Sequence, residues 1–171
     1  AIVHFPAGKA YVQLIDTAGD PDFRGQTLSA MSAVETAAVV VNAANGVETS
    51  TRRLMRRARQ RRLCRVMIVN RIDAEDVDLE ALVRQIRDEF GAECLPVNLP
   101  ADGRSTVRDC FFHEDGDTDI FSLADAHSEI LDQVVEVDEA LMSKYLDGEK
   151  ITADELHDAF EQALREGHLV P

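Results

Sequence analysis

Long apolar runs are missing from this sequence. No stretch approaches the roughly 18 residues that a membrane-spanning helix requires, so no membrane partner is expected. Cysteine is scarce: Cys64, Cys94 and Cys110 are scattered, odd in number and outside any metal-ligand spacing. They read as reduced thiols of a cytoplasmic protein, not as metal ligands, a nucleophile or a disulfide framework. No signal peptide is expected. The phosphate-cradling pattern G-x-x-x-x-G-K-[ST] is absent, because Gly8-Lys9 is followed by Ala10 and has no upstream glycine at the required spacing. His113 to Asp119 is acidic but lacks the full Asp-x-Asp-x-Asp-Gly register and its closing glutamate. It reads as an acidic turn, not a calcium loop.

What is present fits one domain, or a domain plus a subdomain. The chain has 171 residues, 45% of them apolar, enough to bury a real core. A net charge of −14 argues against binding nucleic acid through bulk electrostatics, and no DNA partner is expected. The charge is nevertheless uneven. Arg52 to Arg65 holds eight arginines and no acid, whereas Asp132 to Glu166 sets eleven acids against three bases. Either the two segments neutralise one another or face solvent, or the arginines touch RNA.

Along the chain, Ile2 to Phe5 and Tyr11 to Ile15 read as a hairpin around Pro6-Ala7-Gly8-Lys9. Pro21 opens a helix to about Val34, with Leu28, Met31 and Val34 as its apolar stripe. Ala37 to Val41 has the look of a strand buried on both faces. A turn, Asn42 to Gly46, leads to an arginine-rich helix that Thr49 or Ser50 is placed to cap, with Leu54 and Ala58 inward. Val66 to Val69 is a further buried strand, and Leu79 to Phe90 an amphipathic helix with Leu79, Leu82, Val83, Ile86 and Phe90 on one face. Alternating strand and helix predicts a parallel α/β sheet. Ala101 to Asp119 reads as a small β-excursion anchored by Val107, Phe111 and Phe112. Ser128 to Tyr145 and Thr152 to Glu166 are predicted helices, the second opened by the capping box Thr152-Ala153-Asp154-Glu155.

Two stretches carry chemistry. In Tyr11 to Phe23 an apolar strand delivers Asp16 to the edge of a parallel sheet, followed by Thr17-Ala18-Gly19-Asp20. That edge is where ligands of open α/β sheets bind. A carboxylate there suits Mg²⁺, which wants hard oxygens and keeps several waters. Gly19 lets a bare backbone N–H approach a phosphate. The second strand, Arg65 to Val69, ends in Asn70-Arg71-Ile72-Asp73. An Asn amide and an Asp carboxylate three positions apart can meet one purine edge. Asp73 would accept two N–H bonds from guanine, for which adenine has no matching donors.

These motifs, with Leu28 to Val34, Ala44 to Glu48 and Leu141 to Glu149, resemble the GTPase domain of translational GTPases, most closely elongation factor G and its paralogues. Ribosome-protection and peptide-release GTPases are near neighbours of the pattern. The resemblance implies a P-loop NTPase-type G domain, a three-layer α/β fold with a parallel sheet. That domain would be incomplete and would carry an α+β insertion subdomain. Residues 1–100 would form the partial GTP-binding domain and 101–171 the insertion. It implies GTP or GDP and Mg²⁺ as cofactors, held by Asp16, Thr17, Gly19, Asn70, Arg71 and Asp73, with Asp16 as the metal residue and Asp20 at the catalytic position. The ribosome would be the partner, through its stalk protein and its ribosomal RNA. Asp20 stands where the family usually has His, and Arg71 where it usually has Lys. Slow hydrolysis follows from the first, which also admits a hydrolysis-deficient ribosome-binding paralogue. The resemblance further implies a chain that begins at the family's second strand and stops before its last, and is inactive alone. Without the strand that normally separates Tyr11–Ile15 from Ala37–Val41, two edges are left unpaired. The gap is expected to close by another chain's strand (strand exchange or a dimer), by rearrangement, or by direct pairing of the flanking strands.

Overall fold

The computed structural model describes every residue except Lys9 and Lys150, and every side chain of the others except those of Pro21 and Arg24. The element order is β1 (Ile2–Ala7), β2 (Ala10–Ile15), a 3₁₀ turn (Pro21–Phe23), α1 (Arg24–Ala30), β3 (Thr36–Asn42), α2 (Thr49–Gln60), β4 (Cys64–Asn70), α3 (Leu79–Phe90), β5 (Asn98–Ala101), β6 (Thr106–Asp109), α4 (Leu123–Val135), α5 (Glu139–Leu146) and α6 (Ala153–Glu166).

The predicted hairpin forms: β1 pairs antiparallel with β2, Ile2 opposite Ile15, though Lys9 of its turn lies outside the described residues. The pair β3 and β4 is parallel over its whole length, from Thr36 opposite Cys64 to Asn42 opposite Asn70. β5 and β6 form a third, antiparallel pair. Among the described residues β2 does not pair with β3, so direct pairing of the strands flanking the gap does not occur. The hairpin keeps Ile2, Val3, Phe5, Tyr11 and Leu14 exposed.

Burial of β3 corrects one expectation. Val39 and Val41 are buried with Met55 of α2 and Leu79, Leu82 and Ile86 of α3 on the same side, but Val40 is 58% exposed and Ile68 of β4 47%. The strand is thus buried on one face only, because the described helices that pack on it cover that face alone. The first helix is also shorter than its apolar stripe suggested. It ends at Ala30, with Met31 buried in the turn that follows and Val34 only half-buried. At α2, Thr49 is already inside the helix and Glu48 is the capping residue, without a side-chain cap bond. The buried side of that helix includes Thr51 and Met55 as well as Ala58. α3 spans the residues its periodicity predicts.

Two apolar cores result. One joins β3, α2 and α3 with Cys94 and Val170. The other gathers Leu95, Leu99, Phe111, Leu123, Ile130, Val134, Leu141, Ala163 and Leu169. Phe111 anchors the β-excursion as expected, whereas Val107 and Phe112 stay exposed. The chain leaves the first core at Cys94 and re-enters it at Val170, and these two residues form a parallel bridge. Arg65 of β4, the one inward member of the arginine run, is buried; its guanidinium donates to Gly167 O (3.3 Å), at the end of α6, and lies 3.9 Å from Glu93. The predicted helix over Ser128–Tyr145 is two helices. Asp138 breaks it, its carboxylate accepting from Ala140 N–H and Leu141 N–H to start α5.

The capping box of α6 forms as predicted. Glu155 accepts from Thr152 N–H (3.0 Å), Thr152 Oγ1 (2.9 Å) and Lys144 Nζ (2.6 Å). The lysine bond, then the threonine bonds, pull its carboxyl down to about 2 from the ordinary 4.5. A depressed folded pKa contributes stability that is present above pH 4.5 and lost as pH falls towards 2. The thermal midpoint of the wild-type chain is therefore expected to fall more steeply across that window than that of Glu155→Gln. Parallel curves from circular-dichroism melts would refute this.

Candidate functional site

Because β3 and β4 run parallel with Asn42 opposite Asn70, both strands end at one sheet edge. The turn after β3 is wound on its own asparagine. Asn42 Oδ1 accepts from Ala44 N–H (3.1 Å), and Asn42 O accepts from Asn45 N–H and Gly46 N–H (3.0 Å each). Ala43 N–H donates to Asn70 O (2.9 Å), tying that turn to β4. Gly46 sits at φ +69°, and a Cβ there would come within 3.0 Å of Gln85 Oε1, which accepts from Val47 N–H (3.3 Å). The left-handed turn favours glycine here, and a larger residue would also have to displace the Gln85 side chain.

After β4, Asn70 Oδ1 accepts from Arg71 N–H (2.9 Å), and Arg71 takes a left-handed φ of 60°. That arrangement leaves the Asn70 NH₂ group as a donor. Asn70, Arg71 and Asp73 are all exposed. A residue from the β-excursion holds this loop. The Arg104 guanidinium donates to Ile72 O (3.2 Å) and Val77 O (2.9 Å), bracketing Asp73. Arg104 is itself placed by Asp119, whose carboxylate accepts from Gly103 N–H (3.1 Å) and Arg104 N–H (2.6 Å).

The other motif lies at the end of the hairpin, which corrects an expectation. Among the described residues β2 pairs only with β1, antiparallel, so Asp16 is not delivered to the edge of the parallel pair. Asp16 N–H donates to Ala1 O (2.8 Å), Asp16 O accepts from the N-terminal amine (2.9 Å), and the side chain is exposed. Asp16 and Thr17 line an open recess of about 430 Å³ with Gln26 and Ala30 of α1. Gly19 has no left-handed φ, and a Cβ there would meet nothing within 4 Å, so the fold itself does not demand glycine. Asp20 Oδ1 accepts from Asp22 N–H (2.9 Å), capping the 3₁₀ turn and leaving its second oxygen free of that bond.

Asp16 and Thr17 thus share one recess, which Gly19, Asp20, Asn70, Arg71 and Asp73 do not line. An apolar groove of about 310 Å³ beside β4 holds none of the seven. A lone exposed carboxylate next to a threonine hydroxyl fits Mg²⁺, which retains waters and needs few protein oxygens. The Asp73 carboxylate and Asn70 amide fit a guanine edge by donor and acceptor type. Among the described residues no cluster of three His, Cys, Asp or Glu side chains could hold a metal. Burial pushes Cys94 and Cys110 up to about 11, so both are inert as thiolates at neutral pH. Sequence reasoning missed Arg104, Asp119 and Gln85. The first two sit in an aperiodic polar stretch, and Gln85 on the polar flank of α3, where spacing carries no signal.

Residues 1–165 match the family model of the elongation factor Tu GTP binding domain. An elongation factor G-like protein of Thermotoga maritima is 35% identical over 172 residues, covering 94% of this chain and 25% of that protein. A crystal structure of a Thermus thermophilus protein superposes with a TM-score of 0.85 at 31% identity, over 99% of this chain and 28% of that one. The chain spans about a quarter of the length of these relatives. Among the described residues, no helix is long and apolar enough to cross a membrane. With a parallel α/β sheet and both motifs at strand ends, the chain belongs to the family of the elongation factor Tu GTP-binding domain, on a P-loop-type G-domain fold.

Proposed function

We propose that this chain is the nucleotide-binding part of a GTPase of translation that works in the cytoplasm on the ribosome and couples GTP hydrolysis to a ribosomal rearrangement. Residues 1–100 form the partial GTP-binding domain, and 101–171 an insertion whose acidic helices meet the ribosomal stalk protein. The observation that carries this reading is the family match over residues 1–165, which spans both Asp16–Gly19 and Asn70–Asp73. Asp16 holds Mg²⁺ with Thr17 beside it, and the Gly19 N–H approaches the γ-phosphate. The glycine at position 19, which no backbone strain or neighbour requires, supports that role. Asn70 and Asp73 read guanine, and the Arg71 stem packs over the base. When bound, Mg²⁺ neutralises charge on the phosphates.

Asp20 occupies the catalytic position. Its free carboxylate oxygen accepts a proton or hydrogen bond from water, but its negative charge opposes the charge that builds up in the transition state. Hydrolysis is therefore slow. In a protein extended to the length of its relatives, Asp20→His raises ribosome-stimulated GTP turnover at least tenfold. Wild-type turnover already equal to the variant's would overturn the role given to Asp20. The 171-residue chain itself, whose sequence lacks the glycine-lysine phosphate loop, binds fluorescent GDP with Mg²⁺ no tighter than about millimolar. The hairpin and β3 edges, which do not pair with each other among the described residues, give this chain a route to strand exchange or a dimer. Micromolar, guanine-selective binding by this chain, with ATP as competitor, would sink the reading of a half-site.

A further inference from the structure

We propose that the outer face of α2 and the two residues after it form an RNA-binding surface that grips phosphates. Arg53, Arg56, Arg57 and Arg59 are exposed along the helix, and Arg61 and Arg62 continue the run beyond its end. Thr51, Met55 and Ala58 define the buried side, so at 100° per residue Arg53, Arg56 and Arg57 lie on the opposite face, with Arg59 exposed on its flank. The run stands at spacings of three and four residues, where like charges repel and destabilise an isolated helix. A fold under no other demand would place acids among them.

The chain's own acids do not neutralise this face. Among the described residues Arg52 pairs with Glu89 of α3, Arg57 donates to Gln60, and Arg61 donates to Ser32 Oγ (2.6 Å). Arg53, Arg56, Arg59 and Arg62 have no ion pair or side-chain hydrogen bond within that set. No arginine of α2 pairs with the acidic helices α4, α5 or α6; the ion pair that reaches α4 is Arg87–Glu129, from α3. Among the described residues the basic segment thus forms no ion pair with the acidic one. Every cation on the face is arginine, whose planar fork matches phosphate oxygens in pairs and is weakly hydrated. An acidic protein surface offers carboxylates to the same forks. RNA is favoured over it because the chain is read as a factor acting on the ribosome, and only this choice rests on that reading. The −14 net charge of the whole chain makes binding local and sensitive to salt.

The test is fluorescence anisotropy with a labelled 20-nucleotide single-stranded RNA, titrated with the 171-residue chain from about 50 to 200 mM salt. Four phosphate contacts predict a slope of log affinity against log salt near −3, a loss of about fifty-fold over that range. Arg53→Gln/Arg56→Gln/Arg57→Gln/Arg59→Gln should remove at least tenfold affinity at low salt and flatten the slope. The corresponding four-lysine variant should keep the slope, and Arg84→Gln/Arg165→Gln, which removes two exposed arginines elsewhere, should leave binding unchanged. Far-ultraviolet dichroism verifies that each variant is folded; should the glutamine variant unfold, Arg53→Gln/Arg56→Gln is expected to lose about half of the slope. A wild-type slope near zero, or equal losses in the control pair, would overturn the proposal. So would low-salt self-association of the chain that the four glutamines abolish without any RNA binding, because the face would then bind acidic protein. GDP binding is read separately, so failure of the nucleotide reading leaves this result intact.

Discussion

Arg104→Ala is expected to destabilise the chain by about 3 kcal/mol and to free the loop after β4. Hydrogen bonds to a charged group contribute roughly 1.5–3 kcal/mol each, and Arg104 makes two, to Ile72 O and Val77 O. Partial exposure of the side chain lowers the total towards the single-bond end. Its backbone φ of 66° costs alanine as much as arginine, so the loss comes from the guanidinium. The two carbonyls bracket Asp73 to Asp76, and without their donor the backbone hydrogen bond left to that segment among the described residues is Ala74 N–H to Arg71 O (3.2 Å). Amide exchange from Ala74 to Val77 should therefore accelerate at least tenfold, while the interior of α3 keeps its protection. Arg104→Lys, with one donor head in place of a fork, should recover less than half of the loss. Unchanged exchange in the loop would show that Arg104 does not position it.

Ile130→Ala is expected to cost about 3.5 kcal/mol by urea denaturation. Ile130 is 0% exposed in the second core, with Val134, Val135 and Leu169 equally enclosed around α4 and α6. Deleting a buried isoleucine side chain to alanine removes the transfer energy and leaves a cavity that packed neighbours fill only in part, typically 2–5 kcal/mol. Ile130→Val should cost about 1 kcal/mol by the same reasoning. A cost below 1 kcal/mol for alanine would mean that the second core collapses freely around the gap.

The sequence was most informative where one local rule acts alone. α3 was legible because Leu79, Leu82, Val83, Ile86 and Phe90 keep a helical spacing along its whole length. The capping box at Thr152 was legible because it is a reciprocal bond between near neighbours. The break between α4 and α5 was missed because apolar residues keep their helical spacing across it, and only the Asp138 carboxylate, bonding forward, interrupts the backbone. The one-sided burial of β3 was missed for a different reason: five apolar residues in a row report affinity for cover and not whether the chain supplies it. At the candidate site the residue types were legible, since a strand followed by Asp16-Thr17-Ala18-Gly19 or Asn70-Arg71-Ile72-Asp73 is a local pattern. The clamp on the second loop was not. Arg104 acts across more than 25 residues of sequence, from a stretch with no periodicity.

The parallel bridge between Cys94 and Val170 has a consequence for how the molecule can be trimmed. Val170 N–H donates to Glu93 O (2.8 Å) and Leu95 N–H to Val170 O (3.2 Å), so the segments that leave and re-enter the first core are neighbours running in the same direction. Antiparallel neighbours can be joined by a two-residue turn, but parallel ones need a crossover of a dozen or more residues, usually a helix. α6 is that helix here, and its last turn is fastened to the sheet by buried Arg65. A shortened protein would therefore have to keep α6, and with it α4, against which α6 packs in the second core. The subdomain's final helix belongs mechanically to the sheet, and so does the Arg104 turn that clamps the loop after β4.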